Sequence, residues 1–200
     1  MLDPVRELRQ QPVGVVLAGG LGRRIGGDKA VVELAGRALI SYPVQALRTV
    51  LRDVRVLAKP DTRLPPLPGV EVWLEPAQPR HPLVGILQAL RLAGGRAVLL
   101  CAADLPFVTP ELLTELADAD AGEAPAVIAA LDGAPQPLLG CYRPRAADLL
   151  EPAAREATLA LRAAIAAIRP RLLEVARAEL LFNVNSPEDL QRAEALLTRR

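Results

Sequence analysis

Short apolar runs alternate along the chain with longer segments of helical periodicity, and this alternation is the feature that most restricts the fold. Val13–Leu17 and residues 97–101 are continuous aliphatic runs, typical of strands buried on both faces. Residues 39–51, between them, carry apolar side chains at helical spacing. Strands that alternate with helices predict an α/β fold, with a mostly parallel, Rossmann-like sheet and helices on both faces.

The rest of the chain continues this pattern. Further strands are expected at 54–58, 70–74, 124–131, 138–142 and 172–176, and helices at 83–92, 109–117, 146–168 with an interruption near Pro152, and 186–197. Asp132 and Gly133 predict a hairpin turn between two of these strands. No repeat, low-complexity linker or change of composition divides the chain, so one domain is expected over residues 1–200.

Composition argues against several classes of function. Lys and Arg total 24 against 23 Asp and Glu, and aromatic residues make up 2%, so neither a polyanion site nor a base-stacking platform for nucleic acid is expected. Cys101 and Cys141 lie in apolar surroundings, which predicts buried thiols in a reducing compartment. The start of the chain is charged, and no apolar run reaches the roughly 18 residues of a membrane span. These features predict a cytoplasmic protein without a membrane partner.

The turn after the first strand is rich in glycine. Five glycines within the nine residues 19–27 leave backbone N–H groups uncovered, and such a turn can enclose an oxyanion. Arg23, Arg24 and Lys29 add three cations to the same segment. A flexible surface turn with solvated charge is the alternative, but it would explain the glycines without the cations. The segment therefore predicts a phosphate-binding loop.

Two common phosphate motifs do not fit this loop. A P-loop requires Gly-Lys followed by Ser or Thr, whereas Asp28 precedes Lys29 and Ala30 follows it. A dinucleotide fingerprint would need glycine at Ile25. Only Lys29 and Lys59 among the 24 cations are lysine, which suggests that a compact charge is required at Lys29. Lys59 has no evident role in the sequence.

Several motifs together resemble one enzyme family. Residues 17–40, LAGGLGRRIGGDKAVVELAGRALI, are similar to the signature of nucleotidyltransferases with a nucleotide-diphospho-sugar-transferase type of fold. Residues 81–85 (HPLVG), 101–107 (CAADLPF), 136–138 (QPL) and 182–190 (FNVNSPEDL) resemble later motifs of the same enzymes. Within this group, the chain most resembles the molybdenum cofactor guanylyltransferases.

The resemblance implies an activity and a set of ligands. GMP would pass from GTP to the phosphate of molybdopterin or molybdenum cofactor, with Mg²⁺ as cofactor and release of pyrophosphate. Cofactor-donor and cofactor-acceptor proteins are possible further partners. Nucleotide binding would involve about residues 12–110 and acceptor binding about residues 120–190. The implied catalytic residues are Lys29, Asp104 and Arg24, and the implied ligand-binding residues are Leu17, Ala18, Gly19, Gly20, Gly22, Arg23, Lys29, Glu75, Gly85, Asp104, Asn183 and Asn185.

Asp104 is the candidate metal ligand. It follows a buried strand directly, and ligands of such sheets bind outside the carboxyl ends of the strands. Mg²⁺ prefers one or two carboxylates together with phosphates and water, although an aspartate here could instead cap a turn. Asn183 and Asn185 precede a helix that Ser186 can cap, which leaves both free. Turn formation is their alternative role; the resemblance implies that they help to hold the metal and the acceptor phosphate.

Glu75 is the candidate for base recognition. It follows the third strand, and an acceptor-only carboxylate suits the N1–H and N2–H groups of guanine. A solvated loop carboxylate is the alternative. Where the family offers an asparagine after the second strand this chain has Leu57, so one polar contact to the nucleotide is expected to be missing.

Other functions remain open at the level of sequence. The nearest alternative is a cytidylyltransferase for the same pterin or another small-molecule nucleotidyltransferase, and a more distant one is a non-catalytic nucleotide- or cofactor-binding protein. His81, the single histidine, is expected to be incidental. Arg143 and Arg145 follow a strand, where they could meet an acidic acceptor or simply be solvated.

Overall fold

A seven-stranded sheet forms the centre of the molecule. The computed structural model describes residues 11–20, 29–155 and 160–198. The sheet has the order β5-β4-β1-β6-β8-β7-β9, and only β8 runs antiparallel to its neighbours. Its strands are β1 (Val13–Leu17), β4 (Val54–Ala58), β5 (Glu71–Leu74), β6 (Val98–Ala102), β7 (Ala126–Leu131), β8 (Ala134–Tyr142) and β9 (Arg171–Glu174). The mostly parallel sheet predicted from the sequence is confirmed.

Helices cover both faces of this sheet, as expected. They are α1 (Ser41–Val50), α2 (Pro82–Leu92), α3 (Pro110–Asp118), α4 (Ala146–Arg155), α5 (Leu161–Ala167) and α6 (Pro187–Leu197). One core cluster joins α1 and α3 to the sheet through Leu47 and Leu113, and a second joins α2 and α4 through Leu83 and Leu150. None of the helices in the described ranges is long and apolar enough to span a membrane.

Local signals place several element boundaries. Thr109 caps α3 by accepting a hydrogen bond from the Leu112 amide, and Ser186 caps α6 by accepting one from the Asp189 amide. Both helices begin with proline, whose missing N–H needs no partner in a first turn. Asp132 and Gly133 have φ of 51° and 73°, the left-handed pair that a tight hairpin turn requires. The predicted Ser186 cap and the predicted hairpin are confirmed.

The helix interruption predicted near Pro152 lies beyond that residue. α4 continues through Pro152 to Arg155, and α5 begins at Leu161. Pro152 is exposed, and the buried Ala146 and Leu150 on the other face hold the helix against the sheet despite the lost hydrogen bond. The short hairpin of β2 (Glu33–Leu34) and β3 (Arg37–Ala38) was not expected from the sequence.

Candidate active site

A cleft of about 200 Å³ opens at the carboxyl edge of the sheet. It lies where β1, β5 and β6 end, as the sequence predicted for a ligand site in such a fold. Its lining is drawn from the ends of these strands and the segments beyond them: Leu17, Ala18, Gly19, Gly20, Lys29, Glu75, Arg80, Pro82, Ala102, Ala103, Asp104 and Leu138. Most of the predicted nucleotide-binding residues that the structure describes therefore lie in one cleft.

Strand pairing brings these segments together. The Ala18 amide donates to the Leu57 carbonyl at 2.8 Å, and the Ala103 amide donates to the Leu17 carbonyl at 3.1 Å. These bonds extend the parallel ladder one residue beyond the end of β1 and β6. The residues that follow, Gly19 and Asp104, consequently emerge side by side at the sheet edge.

One end of the cleft holds a polar network, here named the Asp104 cluster, made up of Lys29, Asp104, Gln136, Asn183 and Asn185. The Lys29 Nζ atom lies 2.8 Å from Asp104 Oδ2 and also donates to Asn185 Oδ1. Asn183 Nδ2 donates to Asp104 Oδ1 at 3.0 Å. Gln136 Nε2 in turn donates to Asn183 Oδ1 at 2.8 Å. The lysine and aspartate side chains keep 18% and 15% of their surface exposed, so this cluster is open to solvent and to a ligand.

The Asp104 cluster has the donor set of a site that takes a cation together with phosphate. Oxygen atoms of Asp104 and Asn185 already surround the Lys29 ammonium group. The described parts of the chain contain no group of three or more His, Cys, Asp or Glu side chains that could hold a metal. A single carboxylate suits Mg²⁺, which takes its other ligands from phosphates and water.

At the other end of the cleft, the lining residue Glu75 pairs with a second lysine, Lys59, which does not itself line the cleft; the two are here named the Glu75 pair. Lys59 Nζ lies 3.3 Å from Glu75 Oε2 and donates to the Pro76 carbonyl at 2.7 Å. Both side chains are nearly inaccessible, at 2% for Lys59 and 4% for Glu75. Burial raises the pKa of Glu75 above its usual range, and the charge of Lys59 only partly opposes this. The carboxylate thus lies in a largely dry environment.

Two glycines leave the space that the Glu75 carboxylate occupies. A Cβ atom on Gly19 would lie 2.0 Å from Glu75 Oε1, so any side chain there would displace the carboxylate. A Cβ on Gly85, in α2, would lie 2.6 Å from Leu17 Cδ1 and 3.3 Å from Glu75 Oε2. Gly85 does not line the cleft; it allows α2 to pack closely behind Leu17 and Glu75.

The resemblance placed Leu57 after its strand, and this was wrong. It lies inside β4 between Leu17 and Trp73 on the neighbouring strands, and it is fully buried in the core. The first residue beyond β4 is Lys59, whose side chain reaches Glu75. Sequence reasoning missed this residue, although the scarcity of lysine was the signal that could have found it.

Other candidates lie outside the cleft or outside the described residues. Gly22, Arg23 and Arg24 belong to the part of the chain that the structure does not describe. Arg143 and Arg145 are at the opposite edge, because β8 runs antiparallel to β6; they contact the Gly122 carbonyl and Glu123.

Two further expectations concern side chains away from the cleft. His81 Nδ1 accepts a hydrogen bond from the Leu83 amide and caps α2. This contact gives the histidine a structural role. Cys101 and Cys141 are buried free thiols, as predicted. Burial raises the pKa of Cys141 to about 11, so this thiol is protonated at neutral pH and is no nucleophile.

Comparison with known proteins identifies the family of this chain. Residues 14–175 match the model of the MobA-like NTP transferase domain. A relative from Cereibacter sphaeroides, named molybdenum cofactor guanylyltransferase, is 34% identical over 193 residues, which cover 93% of this chain and 97% of the relative.

Two solved structures share the fold. Molybdopterin-guanine dinucleotide biosynthesis protein A from Archaeoglobus fulgidus has a TM-score of 0.75 and 27% identity, covering 94% of this chain and 99% of that one. The 2-C-methyl-D-erythritol 4-phosphate cytidylyltransferase from Thermus thermophilus has a TM-score of 0.67 at 22% identity over 94% of this chain and 99% of that one, a likeness of fold alone. The family match and the extent of the sequence identity together place the chain in the family of MobA-like NTP transferases.

Proposed function

We propose that this protein transfers GMP from GTP to the phosphate of molybdopterin or molybdenum cofactor, with Mg²⁺ as its metal. The observation that carries the proposal is a single cleft with a cationic phosphate end at Lys29 and Asp104 and a dry carboxylate at Glu75. The relative from Cereibacter sphaeroides, named molybdenum cofactor guanylyltransferase, supports the choice of nucleotide and acceptor.

For this reaction the protein must align the two substrates and neutralise the negative charge of their phosphates. An oxygen of the pterin phosphate attacks the α-phosphorus of GTP, and the bond from that phosphorus to the bridging oxygen of pyrophosphate breaks. The new phosphoanhydride forms as pyrophosphate leaves. Holding both reactants in line removes most of the entropic barrier, so no covalent intermediate on the protein is needed.

The phosphate end supplies the positive charge for this step. Lys29 would exchange its contacts with Asp104 and Asn185 for phosphate oxygens of GTP. The N–H groups of the glycine turn and Arg24 would complete the triphosphate site, as the resemblance implies. Asp104 would hold Mg²⁺, which when bound neutralises charge on the phosphates.

The Glu75 end supports recognition of guanine. The pairing edge of guanine presents N1–H and N2–H donors, which a carboxylate can accept as a pair. Because Glu75 is shielded from water, a base that leaves it unpaired loses about 1–3 kcal/mol. Cytosine presents two acceptors and one donor and would meet the carboxylate with repulsion.

A pyrophosphate-release assay tests the proposal. The protein is incubated with Mg²⁺, each of the four NTPs, and molybdopterin, molybdenum cofactor, a sugar phosphate or no acceptor. Pyrophosphate is expected with GTP and the pterin. Equal use of CTP would replace the guanylyl assignment with a cytidylyl one. Nucleotide binding without pyrophosphate from any combination would favour a non-catalytic carrier.

A further inference from the structure

The Asp104 cluster contains a relay of hydrogen bonds that begins at Gln136, which does not line the cleft. Gln136 Nε2 donates to Asn183 Oδ1 at 2.8 Å, although 47 residues separate the two in sequence. Asn183 Nδ2 then donates to Asp104 Oδ1 at 3.0 Å. Gln136 is not among the residues that line the cleft, so its effect on Asp104 passes through Asn183.

The chemistry of the amide gives this relay a direction. A primary amide has an acceptor on one side and a donor on the other. The N–H of Gln136 occupies the oxygen of Asn183, so the nitrogen of Asn183 must face Asp104. Without the Gln136 donor, only the bond to Asp104 Oδ1 would hold that orientation. In the reversed orientation, the amide oxygen of Asn183 would face a carboxylate oxygen and repel it.

Fixing Asn183 also fixes which oxygen Asp104 presents to the cleft. Oδ1 accepts from Asn183, while Oδ2 accepts from Lys29. The main chain also joins the two segments that carry Asp104 and Asn183, because the Val184 amide donates to the Asp104 carbonyl at 3.0 Å. Asp104 Oδ1 is therefore fixed by the Asn183 amide, and Asp104 Oδ2 is left for an exchangeable cation.

An irregularity in β8 accounts for the position of Gln136. The pairing of β7 with β8 shifts register between Ile128 and Ala130, so the β8 segment around Gln136 departs from the regular ladder. The hydroxyl group of the fully buried Tyr142 donates to the Pro137 carbonyl at 2.5 Å and holds this segment. Register shifts of this kind redirect side chains, and they are frequent beside active sites.

We propose that Gln136 is a positioning residue for Asp104, acting through the orientation of the Asn183 amide. The inference rests on the proposed function, in which Asp104 holds the metal. In this proposal, the side-chain N–H group of Asn183 aligns the Asp104 carboxylate. Partners that orient a metal ligand typically change metal affinity or activity by about 10-fold to 100-fold when they are replaced.

The test compares Gln136→Met with Gln136→Glu. Methionine has a similar length and no donor, whereas glutamate can only accept and should draw the Asn183 nitrogen away from Asp104. Binding of Mn²⁺ to the complex with a non-hydrolysable GTP analogue is measured by electron paramagnetic resonance, beside kcat and KM. We expect Mn²⁺ affinity and kcat to fall about tenfold in the methionine variant and further in the glutamate variant. The KM for GTP should change little.

Two controls isolate the relay. Gln45 lies on the exposed face of α1 and has one side-chain partner, Arg37, so Gln45→Met and Gln45→Glu repeat the chemical changes away from the cleft. The double variant Gln136→Met/Asn183→Ala should match Asn183→Ala alone. Additive losses in the double variant, or unchanged Mn²⁺ affinity in a folded Gln136→Met protein, would overturn the proposal. Because Mn²⁺ binding is measured without an acceptor, failure of the proposed transfer reaction would show separately, as absence of pyrophosphate from the wild type.

Discussion

The only two lysines of this chain each face a carboxylate of the same cleft, yet the two pairs differ in nearly every physical respect. Lys29 and Asp104 are 2.8 Å apart, partly exposed, and hydrogen-bonded to neighbouring amide side chains. Lys59 and Glu75 are 3.3 Å apart and almost completely buried. One pair can exchange its partners with a ligand, while the other is shielded from water.

This difference indicates a division of tasks. A partly exposed ion pair contributes little to stability, so Lys29 and Asp104 can separate at low cost when phosphate arrives. A buried pair cannot lose one member without leaving an uncompensated charge. The Glu75 pair therefore keeps a fixed carboxylate, and the Asp104 cluster provides the mobile charge.

The largest effect should come from breaking the buried pair. Lys59→Met leaves Glu75 buried without its cation, and we expect a loss of about 3–5 kcal/mol in the free energy of unfolding. Lys29→Met is the matched control and should lose no more than about 1 kcal/mol. Urea denaturation measures both. The double variant Lys59→Met/Glu75→Gln should recover much of the loss, and equal losses from the two lysines would contradict the comparison.

The next effect concerns turnover at the exposed pair. Asp104→Asn removes the charge of the proposed metal ligand, and we expect kcat to fall by about 100-fold or more. Binding of GTP, measured by equilibrium dialysis, should persist because Glu75 is untouched. Asp148→Asn, an exposed aspartate on α4, serves as the control. Full activity of Asp104→Asn at ordinary Mg²⁺ concentrations would exclude the metal-ligand role.

Lys29 tests whether charge alone is sufficient at the phosphate end. Lys29→Ala should raise the KM for GTP by about tenfold or more, since hydrogen bonds to charged groups contribute about 1.5–3 kcal/mol. Lys29→Arg should restore only part of this loss, because the planar guanidinium is bulkier than an ammonium beside the glycine turn. Steady-state kinetics decide the question. Wild-type constants in the arginine variant would show that any cation serves.

The smallest effect is expected in base selection. We expect GTP to be preferred over CTP and ATP by at least about tenfold in kcat/KM, and Glu75→Gln should reduce that margin. Because burial raises the pKa of Glu75, the carboxylate should protonate at a higher pH than an ordinary glutamate. The ratio for GTP over CTP should therefore fall as pH is lowered through this raised pKa. Glu75→Gln does not titrate at this position, so its ratio of kcat/KM for GTP over CTP should not change with pH. A wild-type ratio that is also independent of pH would exclude Glu75 from base recognition.

Much of this site could be predicted from the sequence because it depends on local position. Glu75 is the first residue after β5 and Asp104 is the second after β6, and parallel strands deliver such residues to one edge. Lys59, the first residue after β4, satisfies the same rule, whereas Leu57 lies two residues earlier, inside that strand. Gln136 could not be assigned in this way, since its partner comes from a distant segment and no local pattern specifies it.

The reversed direction of β8 determines what lies beside the opening of the cleft. β8 is nine residues long, and its first residues extend beyond Cys101, the last β6 residue with which it pairs. The hairpin turn at Asp132 and Gly133 consequently projects past the edge where the cleft opens. Surface turns tolerate insertions at small thermodynamic cost. We therefore expect insertions at this turn to be tolerated, and to alter the surface beside the cleft while Glu75 and Asp104 keep their places at the strand ends.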